Sequence, residues 1–123
     1  MNLASVRIIT DDVTRLADFY ARLTGGTALR PHELFAEVRT ASATVAIGHT
    51  KTVGIFGPGS ARAADNHSVI IEFVVDDVDA AYVQLQEWVT EFVNEPTTMP
   101  WGNRSLLLRD PDGNLVNVFS RPA

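Results

Sequence analysis

Two charged side chains interrupt apolar strand patterns and are the first candidates for chemistry. Arg7 lies in Val6-Arg7-Ile8-Ile9-Thr10, and Glu72 lies in Ile70-Ile71-Glu72-Phe73-Val74-Val75. A charge in such a place must find a partner or meet water. The two residues could form a structural ion pair. Alternatively, Arg7 could hold a carboxylate or phosphate through two parallel hydrogen bonds, with Glu72 positioning that ligand or accepting one of its donors. Glu72 is also a candidate for a catalytic base.

The remaining polar side chains form no familiar catalytic pattern. No carboxylate pair is spaced to complete a metal site with His32 or His49, so each histidine is interpreted as a surface or loop residue. No Gly-x-Ser-x-Gly turn presents a nucleophilic serine. The absence of cysteine excludes disulfides, thiolate metal sites and thiol nucleophiles. Gly54–Gly59 is glycine-rich but lacks the Lys-Ser/Thr pair that closes a phosphate-binding loop.

Charge and hydropathy exclude two classes of partner. The chain of 123 residues has a formal charge of −5 and no basic block, which argues against a nucleic-acid partner. No apolar run approaches the roughly 20 residues that span a bilayer, so we expect no membrane partner. The segment Met1–Ser5 has no basic stretch followed by an apolar core, so we expect no signal peptide and a cytoplasmic location.

A strand followed by an aspartate-capped amphipathic helix occurs twice. Asp11-Asp12-Val13 is repeated as Asp76-Asp77-Val78, 65 residues later, and Asp12 and Asp77 are the predicted N-caps. Gly25-Gly26 would end the first helix. Apolar side chains at helical spacing follow each cap: Leu16, Phe19, Tyr20 and Leu23 in the first helix, and Val78, Ala81, Tyr82, Leu85, Trp88 and Val89 in the second.

Three extended segments follow each predicted helix. They cover residues 27–30, 34–40 and 43–49, and then 91–94, 104–108 and 115–119. Gly54–Ala64 shows no clear period and is interpreted as a linker or a flexible lid. The sequence therefore predicts one α+β domain of two βαβββ modules, module 1 at about 1–52 and module 2 at about 67–123, joined by a linker at about 53–66. The alternative is that Asp-Asp-Val recurs by chance.

The last two segments form a predicted β-hairpin around Asp110-Pro111-Asp112-Gly113-Asn114. Proline pre-sets φ, the aspartates can bond their own backbone, and glycine takes a position with φ > 0. With the preceding Pro100-Trp101-Gly102, this hairpin resembles the last hairpin of the vicinal-oxygen-chelate superfamily, which includes glyoxalase I, extradiol dioxygenases, and fosfomycin- and bleomycin-resistance proteins. The resemblance covers nearly the whole chain. It implies that the two modules form an incomplete barrel around a cavity, and that the chain is a homodimer.

The resemblance also implies where a metal would be bound. Metalloenzymes of the superfamily place ligands on the first and last strand of each module, and these positions hold Ser5, Ala46, Ile70 and Asn117 here. The Asn117 position is normally a glutamate. Isoleucine and alanine offer no lone pair, and Zn²⁺, Ni²⁺ and Fe²⁺ prefer imidazole and carboxylate. We therefore expect neither a metal nor another cofactor.

The residues left to face the cavity suggest a binding protein. Strand alternation predicts that Asn117 and Phe119 point inward with Arg7 and Glu72. By resemblance, Trp101 lies at the cavity mouth, where it would stack on a ligand or act as an apolar plug. Phe35 and Phe56 are possible wall residues.

Three hypotheses follow from this set of residues. The first is a metal-independent protein of the bleomycin-resistance kind that sequesters or senses an amphipathic, ring-bearing small molecule. The second is a lyase, isomerase or dioxygenase, either metal-dependent with atypical ligands or metal-free with Glu72 as base. The third is an interaction protein with a vestigial cavity.

Overall fold

The computed structural model describes residues 1–123 and divides the chain into two compact units. Unit 1 is Met1–Asp65 and unit 2 is Asn66–Ala123. The elements of unit 1 are β1 (Ser5–Thr10), α1 (Val13–Thr24), β2 (Ala28–His32), β3 (Phe35–Arg39), β4 (Thr44–His49) and α2 (Thr50–Phe56). The elements of unit 2 are β5 (Ile70–Val74), α3 (Val78–Leu85), β6 (Thr97–Thr98), β7 (Arg104–Arg109) and β8 (Leu115–Ser120).

The two units have the same sheet topology. The strand order is β1-β4-β3-β2 in unit 1 and β5-β8-β7-β6 in unit 2. In each sheet the first strand runs parallel to the last, whereas the other neighbours are antiparallel. The predicted α+β architecture of two βαβββ modules is therefore confirmed.

Both helices that follow a first strand begin at the predicted aspartates. A side-chain oxygen of Asp12 accepts a hydrogen bond from the Arg15 amide at 3.1 Å, and Asp77 accepts one from the Ala80 amide at 3.1 Å. Helix α1 ends at Gly25, whose φ of 72° is the left-handed conformation that glycine adopts without strain. These local signals act within four residues of the chain, which is why the sequence alone predicts them.

Each sheet buries one face against its helix. In unit 1 the core joins Leu16 and Tyr20 of α1 to Ala36, Val38 and Ile47 of the sheet, and all five are fully buried. In unit 2 the fully or almost fully buried side chains are Val78 of α3 with Leu106, Leu108, Val116 and Val118. Because side chains alternate along a strand, the residues between these core positions face the opposite side of each sheet.

The hairpin turn between β7 and β8 forms a network around Asp110. One carboxylate oxygen accepts the backbone amides of Asp112 and Asn114, each at 2.9 Å, and the other accepts the Asn114 side-chain amide at 2.8 Å. Gly113 has a φ of 83°, as the turn motif predicts. Asp110 and Asn114 are both buried, so this hydrogen-bond network is enclosed within unit 2.

Helix α2 is the first departure from the predicted elements. It occupies Thr50–Phe56, where the sequence predicts the end of module 1 and the start of the linker. The helix is short, with two β-branched threonines and Gly54, so its propensity is weak. Its first turn is capped by the preceding side chain, since Nδ1 of His49 accepts the Lys51 amide at 3.0 Å.

The second departure is the edge strand of unit 2. The prediction of a strand at 91–94 is wrong, and the edge strand β6 is Thr97–Thr98. Residues 91–94 still run beside β7, but only Phe92 and Leu108 form a bridge. Oδ1 of Asn94 accepts the Leu107 amide at 2.7 Å, so a side chain replaces a backbone acceptor and interrupts the ladder.

The third departure is the length of α3. The apolar stripe predicted a helix that reaches Val89, but the helix ends at Leu85. The amides of Glu87 and Trp88 bond three residues back, to Gln84 and Leu85, which tightens the final turn. Val89 is nevertheless buried, whereas Trp88 is only half-buried. No helix of the chain is both long and apolar enough to cross a bilayer.

Candidate functional site

Arg7 lies on the sheet face of unit 1 that is opposite α1, which we call face 1. The strand register places Arg7 beside Ala46 and Ala46 beside Glu37. The next row along the strands contains Ile9, Gly48 and Phe35. Since directly paired residues point to the same side of a sheet, Arg7 and Phe35 share face 1. Arg7 thus lies on the side of the sheet that strand alternation predicts, and whether this face lines a cavity stays a prediction.

The Arg7 guanidinium is held by two aromatic rings. Its Cζ lies 4.9 Å from the ring centre of Phe35 and 5.4 Å from that of Phe56, which is the last residue of α2. Both distances are within the range of cation–π attraction. The Arg7 stem passes close to Gly48, where an added Cβ would lie 3.4 Å from Arg7 Cδ, in ordinary van der Waals contact. The sequence suggested Phe35 and Phe56 only as wall residues, because α2 was not predicted.

The other charges on face 1 form their own pair. Arg39 Nη2 lies 3.5 Å from Glu37 Oε1 on the same strand. The Arg7 guanidinium, by contrast, has no carboxylate of unit 1 within 4.0 Å. Arg7 is exposed to solvent despite its two ring contacts. It is thus a positioned cation with donors still available.

Glu72 and Asn117 are neighbours on the corresponding face of unit 2, which we call face 2. The register pairs Glu72 with Asn117, and Nδ2 of Asn117 donates a hydrogen bond to Glu72 Oε2 at 2.8 Å. Oδ1 of Asn117 is buried without a hydrogen-bond partner. The predicted inward set of unit 2 therefore shares one face. Whether Arg7 of unit 1 pairs with Glu72 of unit 2 stays a prediction.

Phe119 lies one row further along face 2. It is paired with Val74 on one side and Ser105 on the other, and it is half-buried. Its ring lies 5.8 Å from Arg121 Cζ. Phe119 thus extends the face next to Asn117 with an aromatic surface, as the alternation of the strand predicts.

Trp101 lies in the turn that joins β6 to β7. The amide of Gly102 bonds the Met99 carbonyl at 2.9 Å, and Gly102 has a φ of 102°. The indole is 72% exposed. This exposure leaves the ring open to stack on a ligand, and whether it does so or acts as an apolar plug at a cavity mouth stays a prediction.

The four family ligand positions carry no metal-binding pair in either unit. Ser5 and Ala46 lie on face 1, and Ile70 and Asn117 lie on face 2. No group of three His, Asp or Glu side chains comes close enough to hold a metal ion. Nδ1 of His32 accepts the Leu34 amide at 3.1 Å. That ring nitrogen, like Nδ1 of His49, therefore has a structural role.

A charged pair on the helix side of unit 2 shifts the pKa of both its members. Arg104 donates hydrogen bonds of 2.8 and 3.0 Å to the carboxylate of Asp79. These hydrogen bonds lower the pKa of Asp79 and raise the pKa of Arg104, because they favour the charged form of each group. Asp79 is exposed and Arg104 is half-buried, and the pair joins α3 to β7.

A family model for the Glyoxalase/Bleomycin resistance protein/Dioxygenase superfamily matches residues 2–118. The chain belongs to this superfamily. The resemblance drawn from the terminal hairpin and the repeat is thereby confirmed. A comparison with curated proteins gave no match.

Solved structures of the superfamily share the fold over nearly the whole chain. A superfamily member from Sphaerobacter thermophilus DSM 20745 is 27% identical, with a TM-score of 0.76, and the match covers 98% of each chain. A family enzyme from Burkholderia phytofirmans PsJN is 17% identical, with a TM-score of 0.83 and 98% of each chain covered. A glyoxalase/bleomycin resistance protein/dioxygenase from Nocardioides is 20% identical, with a TM-score of 0.82, and the match covers 99% of this chain and 84% of that one.

Proposed function

We propose that this chain is a metal-independent member of the superfamily that binds an amphipathic, ring-bearing small molecule, in order to sequester or sense it. One observation carries the proposal. The positions at which the family's metalloenzymes bind their ion hold Ser5, Ala46, Ile70 and Asn117, and the strand registers keep these residues on faces 1 and 2. Two of the four side chains have no lone pair, so a transition metal has no ligand set there.

Each face, considered by itself, presents a surface suited to an amphipathic ligand. Face 1 presents a cation between phenyl rings, and face 2 presents a carboxylate beside a buried amide oxygen without a partner. The exposed indole of Trp101 adds a flat apolar surface suited to a ring. Small-molecule sites combine apolar walls with a few polar groups that fix orientation, and each unit taken by itself presents groups of both kinds.

Native mass spectrometry of freshly purified protein tests this proposal. We expect a retained organic small molecule that dissociates on denaturation, and no mass increment of a metal ion. A stoichiometric metal that disappears with a chelator would favour the enzymatic alternative, a lyase, isomerase or dioxygenase with atypical ligands. The same spectrum reports the subunit count, and we propose two subunits. We also propose that the protein is cytoplasmic.

A further inference from the structure

The two arginines of face 1 differ in whether a carboxylate of unit 1 pairs with them. Arg39 is paired with Glu37 at 3.5 Å. Arg7 has aromatic partners but no carboxylate of its own unit. Face 1 therefore offers a single positive charge that is not yet matched by an anion of unit 1.

The ring contacts leave the hydrogen-bonding edge of Arg7 available. Cation–π attraction places a cation over the flat side of a ring, and it uses none of the cation's donors. The guanidinium has five N–H donors in one plane, arranged as a fork that fits the two oxygens of a carboxylate. Phe35 and Phe56 would thus orient the fork in advance and reduce the conformational entropy that binding must overcome.

The surface next to this cation is aromatic. Phe56 is 75% exposed, so most of its ring is open to solvent beside the guanidinium. An exposed ring that lies within 5.4 Å of an unmatched cation can contact the apolar body of a ligand whose acid group meets the arginine. One unmatched cation suits a single negative charge better than the double charge of a phosphate monoester.

From this geometry we infer that the ligand is a monoanionic aryl carboxylate, with its carboxylate on the Arg7 fork and its ring against Phe56. The inference rests on the proposed binding function and names the chemical class of the ligand. It also assigns Arg7 as the residue that selects a charged ligand over a neutral one of the same shape.

Paired titrations with 1-naphthoate and its neutral analogue 1-naphthamide test the inference, measured by isothermal titration calorimetry. We expect the wild-type chain to prefer the carboxylate by about tenfold to a hundredfold, the range for hydrogen bonds to a charged group. Arg7→Met removes the charge and should abolish this preference. Arg39→Met is the matched control, because it removes a paired cation from the same face and should retain the preference.

Arg7→Lys provides a second variant. It keeps the charge and most of the stem but loses the planar fork, so we expect a preference between those of the wild type and Arg7→Met. Circular dichroism would confirm that every variant is folded. Melting temperatures separate ligand selection from a structural role of Arg7 as the partner of Glu72. A melting temperature lowered by Arg7→Met and restored by adding Glu72→Gln would identify such an ion pair and overturn the inference.

Several binding results would contradict the inference without deciding the proposed function. Equal affinity of the wild type for both compounds, or a preference that survives Arg7→Met, would show that Arg7 does not select the carboxylate. Binding of neither compound would exclude this ligand class. The proposed function would instead fail if native mass spectrometry found a stoichiometric metal, so the two failures are distinguishable.

Discussion

Neighbouring residues of β8 face opposite sides of the sheet and are therefore constrained by different surroundings. Val116 and Val118 are 0% and 2% exposed, and they must be apolar because they fill the core against α3 and β7. Asn117 lies between them and faces the other side of the sheet, beside Glu72. Core packing therefore places no demand on the chemistry of Asn117. A family fold can be retained while the residue at a ligand position changes.

Gly113 illustrates how a single turn residue is constrained by its backbone. A Cβ added at Gly113 would meet no atom within 4 Å beyond the adjacent residues, so a side chain has space there, but φ is 83°. We expect Gly113→Val to destabilise the protein by about 1–3 kcal/mol through backbone strain alone. Chemical denaturation measures the change. Gly54→Ala is the control, since Gly54 also has open space but lies in α2, and alanine there should be neutral or stabilising.

If Gly113→Val unfolded at the same denaturant concentration as the wild type, the left-handed turn would be wrong. A destabilisation of equal size in Gly54→Ala would also contradict the assigned cause, because it would point to side-chain crowding rather than to backbone conformation.

Among the helices, strands and turns, the sequence predicts those features that depend on residues close together in the chain. The caps at Asp12 and Asp77, the stop at Gly25 and the turn at Asp110–Asn114 each depend on residues close in the chain, and all were predicted. The edge of unit 2 was not, because Asn94 interrupts it through a bond to Leu107, which is 13 residues away.

The two N-caps should contribute alike because they are equivalent in the repeat. Asp12→Ala and Asp77→Ala each leave an amide in the first turn without its acceptor, that of Arg15 or Ala80. We expect each substitution to destabilise the chain by about 1 kcal/mol. Denaturant unfolding measures the loss, and Asp→Asn at the same positions is the control, since asparagine also caps helices. A loss as large in the asparagine variants would contradict a capping role.

The Asp79–Arg104 pair predicts a pH dependence that belongs to the contact between α3 and β7. The pKa of Asp79 in the folded protein is lowered from its ordinary value of 3.8 by hydrogen bonds from Arg104. The folded state therefore favours the ionised carboxyl. This stabilisation is present above the unfolded pKa and is lost as the pH falls through the folded one.

Asp79→Asn measures this effect against the wild type. At neutral pH the wild type should have the larger free energy of unfolding. This difference from Asp79→Asn should vanish once Asp79 is protonated in both the folded and unfolded states. We expect the difference at neutral pH to be small because Asp79 is exposed and water screens its charge. A difference that grew on acidification would reverse the predicted sign.

At the scale of the whole molecule, the repeat predicted the fold, and the repeat together with the terminal hairpin predicted the family. A strand, an aspartate-capped helix and three more strands recur with the same sheet order, and the family model matches residues 2–118. The site was predicted less completely. Arg7 was found from its charge, but its contact with Phe56 depends on α2, a short helix whose own sequence barely favours it. A weak local signal stabilised by tertiary contacts is hard to predict from sequence.

Each sheet, considered alone, has two edge strands, each with one side unpaired. These are β1 and β2 in unit 1, and β5 and β6 in unit 2. Unpaired strand edges promote association unless they are covered. We therefore predict a homodimer, which light scattering coupled to size-exclusion chromatography would detect at micromolar concentration. A molar mass equal to that of one chain, 13.4 kDa, would contradict the prediction.

The central claim, that this family member works without a metal, is tested most directly by elemental analysis of the purified and dialysed protein. We predict Zn, Ni, Mn and Fe contents far below one ion per chain, because the family's ligand positions are Ser5, Ala46, Ile70 and Asn117. One ion per chain that survives dialysis, and that is lost when His32, His49 or His67 is substituted, would contradict the claim.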